Sequence, residues 1–230
     1  KHFVNFFTSY SFVRLLTNTL FLSLYSLVAA FPFPIILALM LNELRSVRYK
    51  KVVQTVTYAP HFISTVVMVG MLTLFFSPSM GVVNTVIEKF GGEAKDFMTD
   101  PTLFRHLYVW SGVWQGTGWG SVIYLAALSA VDPQQHEAAV IDGASRLQRI
   151  WYINLPVLLP TITILLILNC GSILSVGYEK VLLMQNDLTL DVSEVISTYV
   201  YKRGLLKAEY SFSAAVGLFN NVVNVTLLMV

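Results

Sequence analysis

A single cysteine, Cys170, excludes an intrachain disulfide and leaves too little sulfur for a metal cluster. Set among Leu168, Asn169 and Gly171, it reads as a small packing residue. Charge is scarce as well. Only 12% of the 230 residues are Asp, Glu, Lys or Arg, about half the share of a soluble domain. The net charge of +2 is too small to point to a nucleic-acid partner. No G-x-x-x-x-G-K-S/T phosphate loop is present, so ATP hydrolysis is not expected of this chain. No Ser/His/Asp spacing and no H-E-x-x-H helix occurs either, and neither catalytic residues nor metal ligands are assigned.

What is abundant is apolar surface: 55% of the residues are hydrophobic and the mean hydropathy is +0.65. Uncharged runs cover residues 15–42, 52–87, 106–131, 150–178 and 210–230. Each exceeds the ~20 residues that a helix needs to cross the hydrocarbon core. These runs predict an all-α, polytopic membrane bundle with about five spans, the second ending near Pro78. Lys1 is not an initiator methionine, no charged n-region precedes the first span, and the chain stops inside an apolar run. Both ends therefore read as cut.

Sidedness follows from basic residues, which stay in the cytoplasm. Arg45, Arg48, Lys50 and Lys51 form the densest positive cluster, and alternation of spans puts 132–154 on that same side. Residues 78–105 and 179–209 are then external, with a short helix expected near 82–90. Phe3, Phe6, Phe7, Tyr10 and Phe12 suit a membrane interface.

Within the spans, Pro32 and Pro34 remove backbone donors and predict a kink. His61 and Ser64 in the second span either pack, hydrogen-bonded, or line a polar path. Gly112, Gly116 and Gly120 give the third span a flat face for a neighbouring helix, and Gln115 with Trp114 and Trp119 offers an amide and rings. Asn169, Ser172 and Ser175 in the fourth span recur at helical spacing, followed by Tyr178; Asn220 and Asn224 share a face of the last. For each, packing and a solute path are the two open roles.

The stretch that organises the chain is 132–156, a polar segment between two apolar runs. Asp132 is a good N-cap, Pro133 suits the first helical position, and Gln135 stands where a capping box takes a glutamine. A helix to about Asp142 is expected to end at Gly143 in a left-handed conformation, with a second helix over about 145–152. Ala138, Ala139, Gly143 and Ala144 allow another backbone to come close, and Glu137, Asp142, Arg146 and Arg149 can fix its register.

Glu137-Ala138-Ala139, three residues, Gly143, nine residues, Ile153, one residue and Leu155-Pro156 resemble the EAA loop of ABC importer permeases at every fixed position. The likeness continues in Asn18-Thr19-Leu20, Tyr58-Ala59-Pro60-His61-Phe62-Ile63-Ser64, Gly118-Trp119-Gly120 and Val195-Ile196-Ser197-Thr198-Tyr199. There it is similar to the subgroup that handles oligosaccharides and polysaccharides, including aldouronate, lipo-oligosaccharide and alginate importers. The resemblance implies one permease domain, with at least one span before Lys1, in the bacterial inner membrane. It implies a second permease (identical or a paralogue), two ATPases that hold ATP and magnesium, and a solute-binding protein outside. Residues 132–156 would be the coupling helix, with Glu137, Ala138, Ala139, Asp142, Gly143, Ala144 and Arg146 meeting the ATPase. His61, Ser64, Gln115, Ser172, Ser175, Tyr178, Asn220 and Asn224 are the substrate-path candidates. No cofactor is expected on this chain. An ABC permease for another solute, a membrane scaffold and an ion-coupled secondary transporter are the alternatives; the last would need intramembrane carboxylates, which the first three spans lack.

Overall fold

A computed structural model describes residues 2–229, and all regular structure among them is helical. Helix α1 (His2–Phe7) precedes α2 (Phe12–Ala30) and α3 (Pro32–Asn42), which together form one apolar helix of 31 residues. The expected kink is confined to Phe31, whose N–H still reaches the Leu27 carbonyl at 3.0 Å. Pro32 and Pro34 fall in the first turn of α3, where proline is tolerated, so the disturbance stays within that turn.

The second apolar run departs from expectation. Helix α4 (Val47–Tyr58), capped by Ser46, continues through a 3-10 turn (Ala59–Phe62) and stops. Ser64 starts α5 (Thr65–Phe75) by accepting from Val67 N, and the two pieces are bent by 98°. Pro60 removes a donor, and the extended backbone of Ser64 begins a new ladder, so one straight span becomes a broken pair. His61 therefore lies at a break.

Helix α6 (Val82–Lys89) forms where a short helix was expected near 82–90. Its buried Asn84 donates to the carbonyls of Ser77 and Lys95 and accepts from Lys95 N, all at 2.9 Å, which closes the excursion on itself. Helix α7 (Pro101–Leu128) has 28 residues, about 42 Å at ~1.5 Å per residue. Then come α8 (Pro133–Ile141), α9 (Arg146–Arg149), a π-turn (Ile150–Asn154) and α10 (Leu155–Cys170). The chain finishes with α11 (Tyr178–Met184), α12 (Leu190–Ser193), α13 (Ile196–Tyr201), a second π-turn (Lys202–Leu206) and α14 (Tyr210–Met229). Among the described residues, Phe12–Asn42, Arg146–Cys170 and Tyr210–Met229 are long and apolar enough to span, with the bent pair as a fourth. Three or four candidate spans thus stand against the five expected: α7 is long enough but is not among the helices that are also apolar enough. The fourth span ends at Cys170, so Ser172 and Ser175 sit on the turn after it and do not share a helical face with Asn169.

The chain forms two compact units. One holds residues up to 26, 63–111 and from 170 on. Its core joins Phe6, Leu15, Ile196, Phe212 and Val216. Arg14 pairs with Asp191 at 2.6 Å and Glu194 at 2.9 Å, and Asn18 donates to the Asp191 carbonyl at 2.8 Å. These bonds tie the start of the first span to α12, agreeing with one shared side for the two.

The other unit holds 27–62 and 112–169, with Ala38, Tyr124, Leu128 and Leu158 at its core. The glycine contacts of α7 differ from the expected face. A Cβ on Gly118 would collide with the Thr57 carbonyl, and one on Gly120 would lie 3.0 Å from Pro34 Cγ, whereas Gly116 has open space. The close approach is made by Gly118, outside the four-residue glycine repeat.

Gly118→Ala is expected to destabilise the chain by ~1–3 kcal/mol, because backbone atoms of α4 cannot yield. Gly116→Ala should be neutral or gain up to ~1 kcal/mol of helix propensity. Thermal unfolding in detergent compares them, and equal melting temperatures would contradict the packing. Sidedness is open to cysteine labelling with Cys170 replaced by alanine. Cysteines at Arg48 and Gln148 should react from the cytoplasm and those at Glu93 and Asp187 from outside; external reaction at Gln148 would reverse the topology.

Candidate docking loop and substrate path

The loop 132–156 is built by two caps and one glycine. Asp132 Oδ1 accepts from Gln134 N at 2.9 Å, and Pro133 opens α8. The capping box expected at Gln135 forms one helix later: Ser145 Oγ accepts from Gln148 N at 3.4 Å while Gln148 Oε1 accepts from Ser145 N at 2.7 Å. Between the helices Gly143 has φ +80°. Its N–H meets the Val140 carbonyl at 3.1 Å, and Ala144 N–H reaches back to Ala139 at 2.8 Å, the paired bonds of a Schellman ending. Nothing lies within 4 Å of a Cβ placed on Gly143. The dihedral is therefore what demands glycine here; within this chain, crowding does not.

The expected second helix is not separate. α9 passes through the π-turn into α10, making one helix of 25 residues from Arg146 to Cys170. Leu155 N–H bonds to Ile150, five residues back. A proline ring clashes with the carbonyl four residues before it, and for Pro156 that carbonyl belongs to Tyr152. The wider turn accommodates that proline without breaking the helix.

Outward from this frame stand Glu137, Ala138, Asp142, Gly143 and Arg146, all exposed, with Ala139 and Ala144 half-buried. Among the described residues Glu137, Asp142 and Arg146 enter no ion pair. Around them lie uncovered apolar side chains, with Ile141 85% and Tyr152 79% exposed and Val140, Leu147 and Trp151 more than half exposed. Leu147, Gln148, Trp151 and Tyr152 line a shallow notch of about 400 Å³. Such a surface, apolar at its centre and charged around it, suits a protein partner.

Arg149 is a correction. Expected to face a partner, it turns inward, and its Nη2 meets Glu43 Oε2 at 3.0 Å. The other carboxylate oxygen, Oε1, accepts from Asn154 Nδ2 at 3.3 Å. Glu43 and Arg149 side chains are 14% and 16% exposed, and Asn154 is fully buried. Breaking such a pair from one side would leave a charge uncompensated, at a cost of ~3–5 kcal/mol. Sequence reading missed this cluster because its members lie 106 and 111 positions apart. The one local signal was a carboxylate at the end of α3, where the helix dipole disfavours it.

The substrate-path candidates divide between the units. In one, His61 stacks on Trp119 at 4.8 Å with planes 3° apart and Phe62 edge-on at 5.8 Å; Gln115 is half-buried on α7. In the other, Ser64 is spent on the α5 cap. Asn224 donates to Ser175 Oγ at 2.9 Å and accepts from Leu174 N at 3.1 Å, so this pair locks α14 to the turn after α10. Asn220 keeps a buried amide oxygen with no hydrogen-bond partner among the described residues. Tyr178 stacks on Tyr201 at 5.6 Å and is half exposed; Ser172 is exposed. Of these residues, Ser175 and Asn224 are joined by a direct hydrogen bond. Lys180, missed by the sequence, donates to the Tyr108 carbonyl at 2.8 Å, and burial pushes its amine down to about 8. No group of three or more His, Cys, Asp or Glu among the described residues could hold a metal.

Known proteins agree with this architecture. The profile of the binding-protein-dependent transport system inner membrane component family matches residues 30–225. Protein LplB of Bacillus subtilis (strain 168) is 46% identical over 227 residues, 99% of this chain and 71% of that protein. The polygalacturonan/rhamnogalacturonan transport system permease protein YteP, also of Bacillus subtilis (strain 168), is 44% identical over 229 residues, 100% of this chain and 71% of its own. Among solved structures, a bacterial ABC transporter involved in import of the acidic polysaccharide alginate superposes with a TM-score of 0.96 at 45% identity, covering 99% of this chain and 80% of that one. A second alginate transporter structure, in complex with an alginate pentasaccharide-bound periplasmic protein, also gives 0.96, at 44% identity, covering 100% of this chain and 80% of its own. With its helical spans and its exposed polar loop, the chain belongs to the family of inner membrane components of binding-protein-dependent transport systems and is a permease subunit of an ABC importer.

Proposed function

We propose that this permease subunit moves an oligosaccharide or a polysaccharide fragment from an external solute-binding protein into the cytoplasm, driven by ATPase subunits docked on residues 132–156. The observation that carries the driving mechanism is the loop itself: Gly143 at φ +80° turns the chain from α8 into the start of the 25-residue helix, and apolar side chains on both stand uncovered in this chain. Covering those side chains with a partner stabilises the contact by ~25 cal/mol per Å² removed from water. Glu137, Asp142 and Arg146 are the charges available to set its register, while Ala138, Ala139 and Ala144 keep the surface low. ATP and magnesium belong to the ATPase, and a second permease completes the path.

The saccharide reading draws on what is said of the relatives: YteP by its name transports polygalacturonan and rhamnogalacturonan, and the two superposing structures are of alginate importers. The stacked His61 and Trp119, with Phe62, form an exposed aromatic platform of the kind that meets a sugar ring. Gln115, Ser172, Tyr178 and Asn220 remain path candidates. Ser64, Ser175 and Asn224 are better assigned to capping and helix locking.

Gly143→Leu tests the docking loop. A leucine at φ +80° is strained by ~1–2 kcal/mol and carries bulk where the partner approaches. The variant should insert normally, since insertion follows the apolar spans, yet lose co-purifying ATPase or its substrate-stimulated hydrolysis. Normal assembly and normal uptake would remove Gly143 from the interface. For the path, Trp119→Ala should reduce uptake of a uronate oligosaccharide about fivefold, on the order of 1 kcal/mol for a lost aromatic contact; unchanged uptake would leave the platform a packing feature.

A further inference from the structure

We infer that Glu43, Arg149 and Asn154 form a mechanical clamp that makes the end of the first span and the docking loop move as one body. This rests on the docking-loop reading above and adds the route by which motion of the loop enters the membrane.

The geometry begins with the π-turn. In an α-helix, residues five apart stand about 140° apart around the axis, so Arg149 and Asn154 would face different directions. The turn from Ile150 to Asn154 closes on the fifth residue, Leu155 N–H to Ile150, which swings the two side chains toward one side. There they hold both oxygens of a single carboxylate: Nη2 of Arg149 on Oε2 at 3.0 Å and Nδ2 of Asn154 on Oε1 at 3.3 Å. π-turns inside α-helices concentrate at functional sites, and this one lies between the loop that meets the partner and the span behind it.

The carboxylate belongs to the residue that ends α3. Glu43 N–H bonds back to Leu39 at 3.3 Å, so the side chain is rooted in the last turn of the first span. The macrodipole disfavours a carboxylate there, and a well-packed apolar pair would hold two helices at least as firmly as a buried ion pair. What a doubly held carboxylate adds is direction. Two bonds to separate oxygens resist rotation as well as separation, whereas apolar side chains can slide. Because α9 and α10 are one helix, a force on Leu147 or Trp151 reaches Arg149 through rigid backbone and passes to α3 at Glu43. Arg149 Nε and Asn154 Oδ1 are buried without a hydrogen-bond partner among the described residues, so the cluster is aimed at Glu43 even though two polar atoms stay unmatched.

The test uses the importer purified through a tag on this chain, reconstituted in proteoliposomes with its solute-binding protein and a uronate oligosaccharide. Glu43→Gln keeps the shape of the side chain and removes its charge. ATPase recovery and basal hydrolysis should stay within about twofold, while saccharide imported per ATP hydrolysed should fall about tenfold, within the usual range of coupling between sites. Exchanging the charges, Glu43→Arg with Arg149→Glu, should restore at least about a third of that ratio. An unchanged ratio in Glu43→Gln would overturn the clamp, and so would loss of the ATPase from the complex, which would make the cluster a scaffold for the docking surface alone. If Glu43→Gln does not accumulate, Asn154→Leu, which leaves the ion pair but frees one oxygen, is measured with the same two readings. Gly143→Leu, run in parallel, separates the two levels. Normal assembly and uptake in that variant defeat the docking reading itself. Failure of Gly143→Leu beside normal coupling in Glu43→Gln defeats only the clamp.

Discussion

A carboxylate at the C-terminal end of a helix is electrostatically misplaced, and Glu43 is held there by a cation and an amide from more than a hundred residues away. Much of the region around the exposed loop depends on that contact. It fixes where α9 begins relative to the end of α3, and so where the exposed turn at Gly143 stands. The π-turn serves the same end, since it both absorbs Pro156 and brings Arg149 and Asn154 to one side. A prohibition on proline in helices and a requirement for pairing are met by the same five residues.

Elsewhere polar side chains do similar service. Asn84 closes the segment between Ser77 and Lys95, Asn18 and Arg14 hold the head of the first span to α12, and Asn224 joins the last span to the turn at Leu174 and Ser175. In hydrocarbon an unpaired amide is expensive and apolar burial gives helices little reason to associate, so such locks and close backbone approaches, as at Gly118 and Thr57, carry the specificity. A polar residue in a span is thus no sign of a solute path by itself. The aromatic platform of His61 and Trp119 differs in being exposed.

Much was legible in the sequence because its causes are local. Long apolar runs, basic clusters, the Asp132 cap and the Gly143 ending all depend on residues within a few positions of each other, and they appear where expected. The break at Ile63 and Ser64 was hidden because Pro60 and Ser64 interrupt an apolar run without interrupting its hydropathy. The capping box was placed at Gln135 on spacing alone; Ser145 and Gln148 form it, with a hydroxyl that reaches the third residue. Gly118 was passed over for the repeat at Gly112, Gly116 and Gly120, since which glycine faces a neighbour depends on how α7 rotates against α4. The inward turn of Arg149 was out of reach, because nothing near it announces Glu43.

On the proposed function, an ATPase acting through the exposed loop drives a saccharide through this subunit. The most direct measurement is uptake of a uronate oligosaccharide into proteoliposomes that hold the purified importer, with its binding protein outside and ATP inside, before and after ionophores collapse all ion gradients. Uptake that requires internal ATP and survives the ionophores is the predicted result. Uptake that proceeds without ATP and vanishes with the gradients would contradict it and make the chain an ion-coupled carrier.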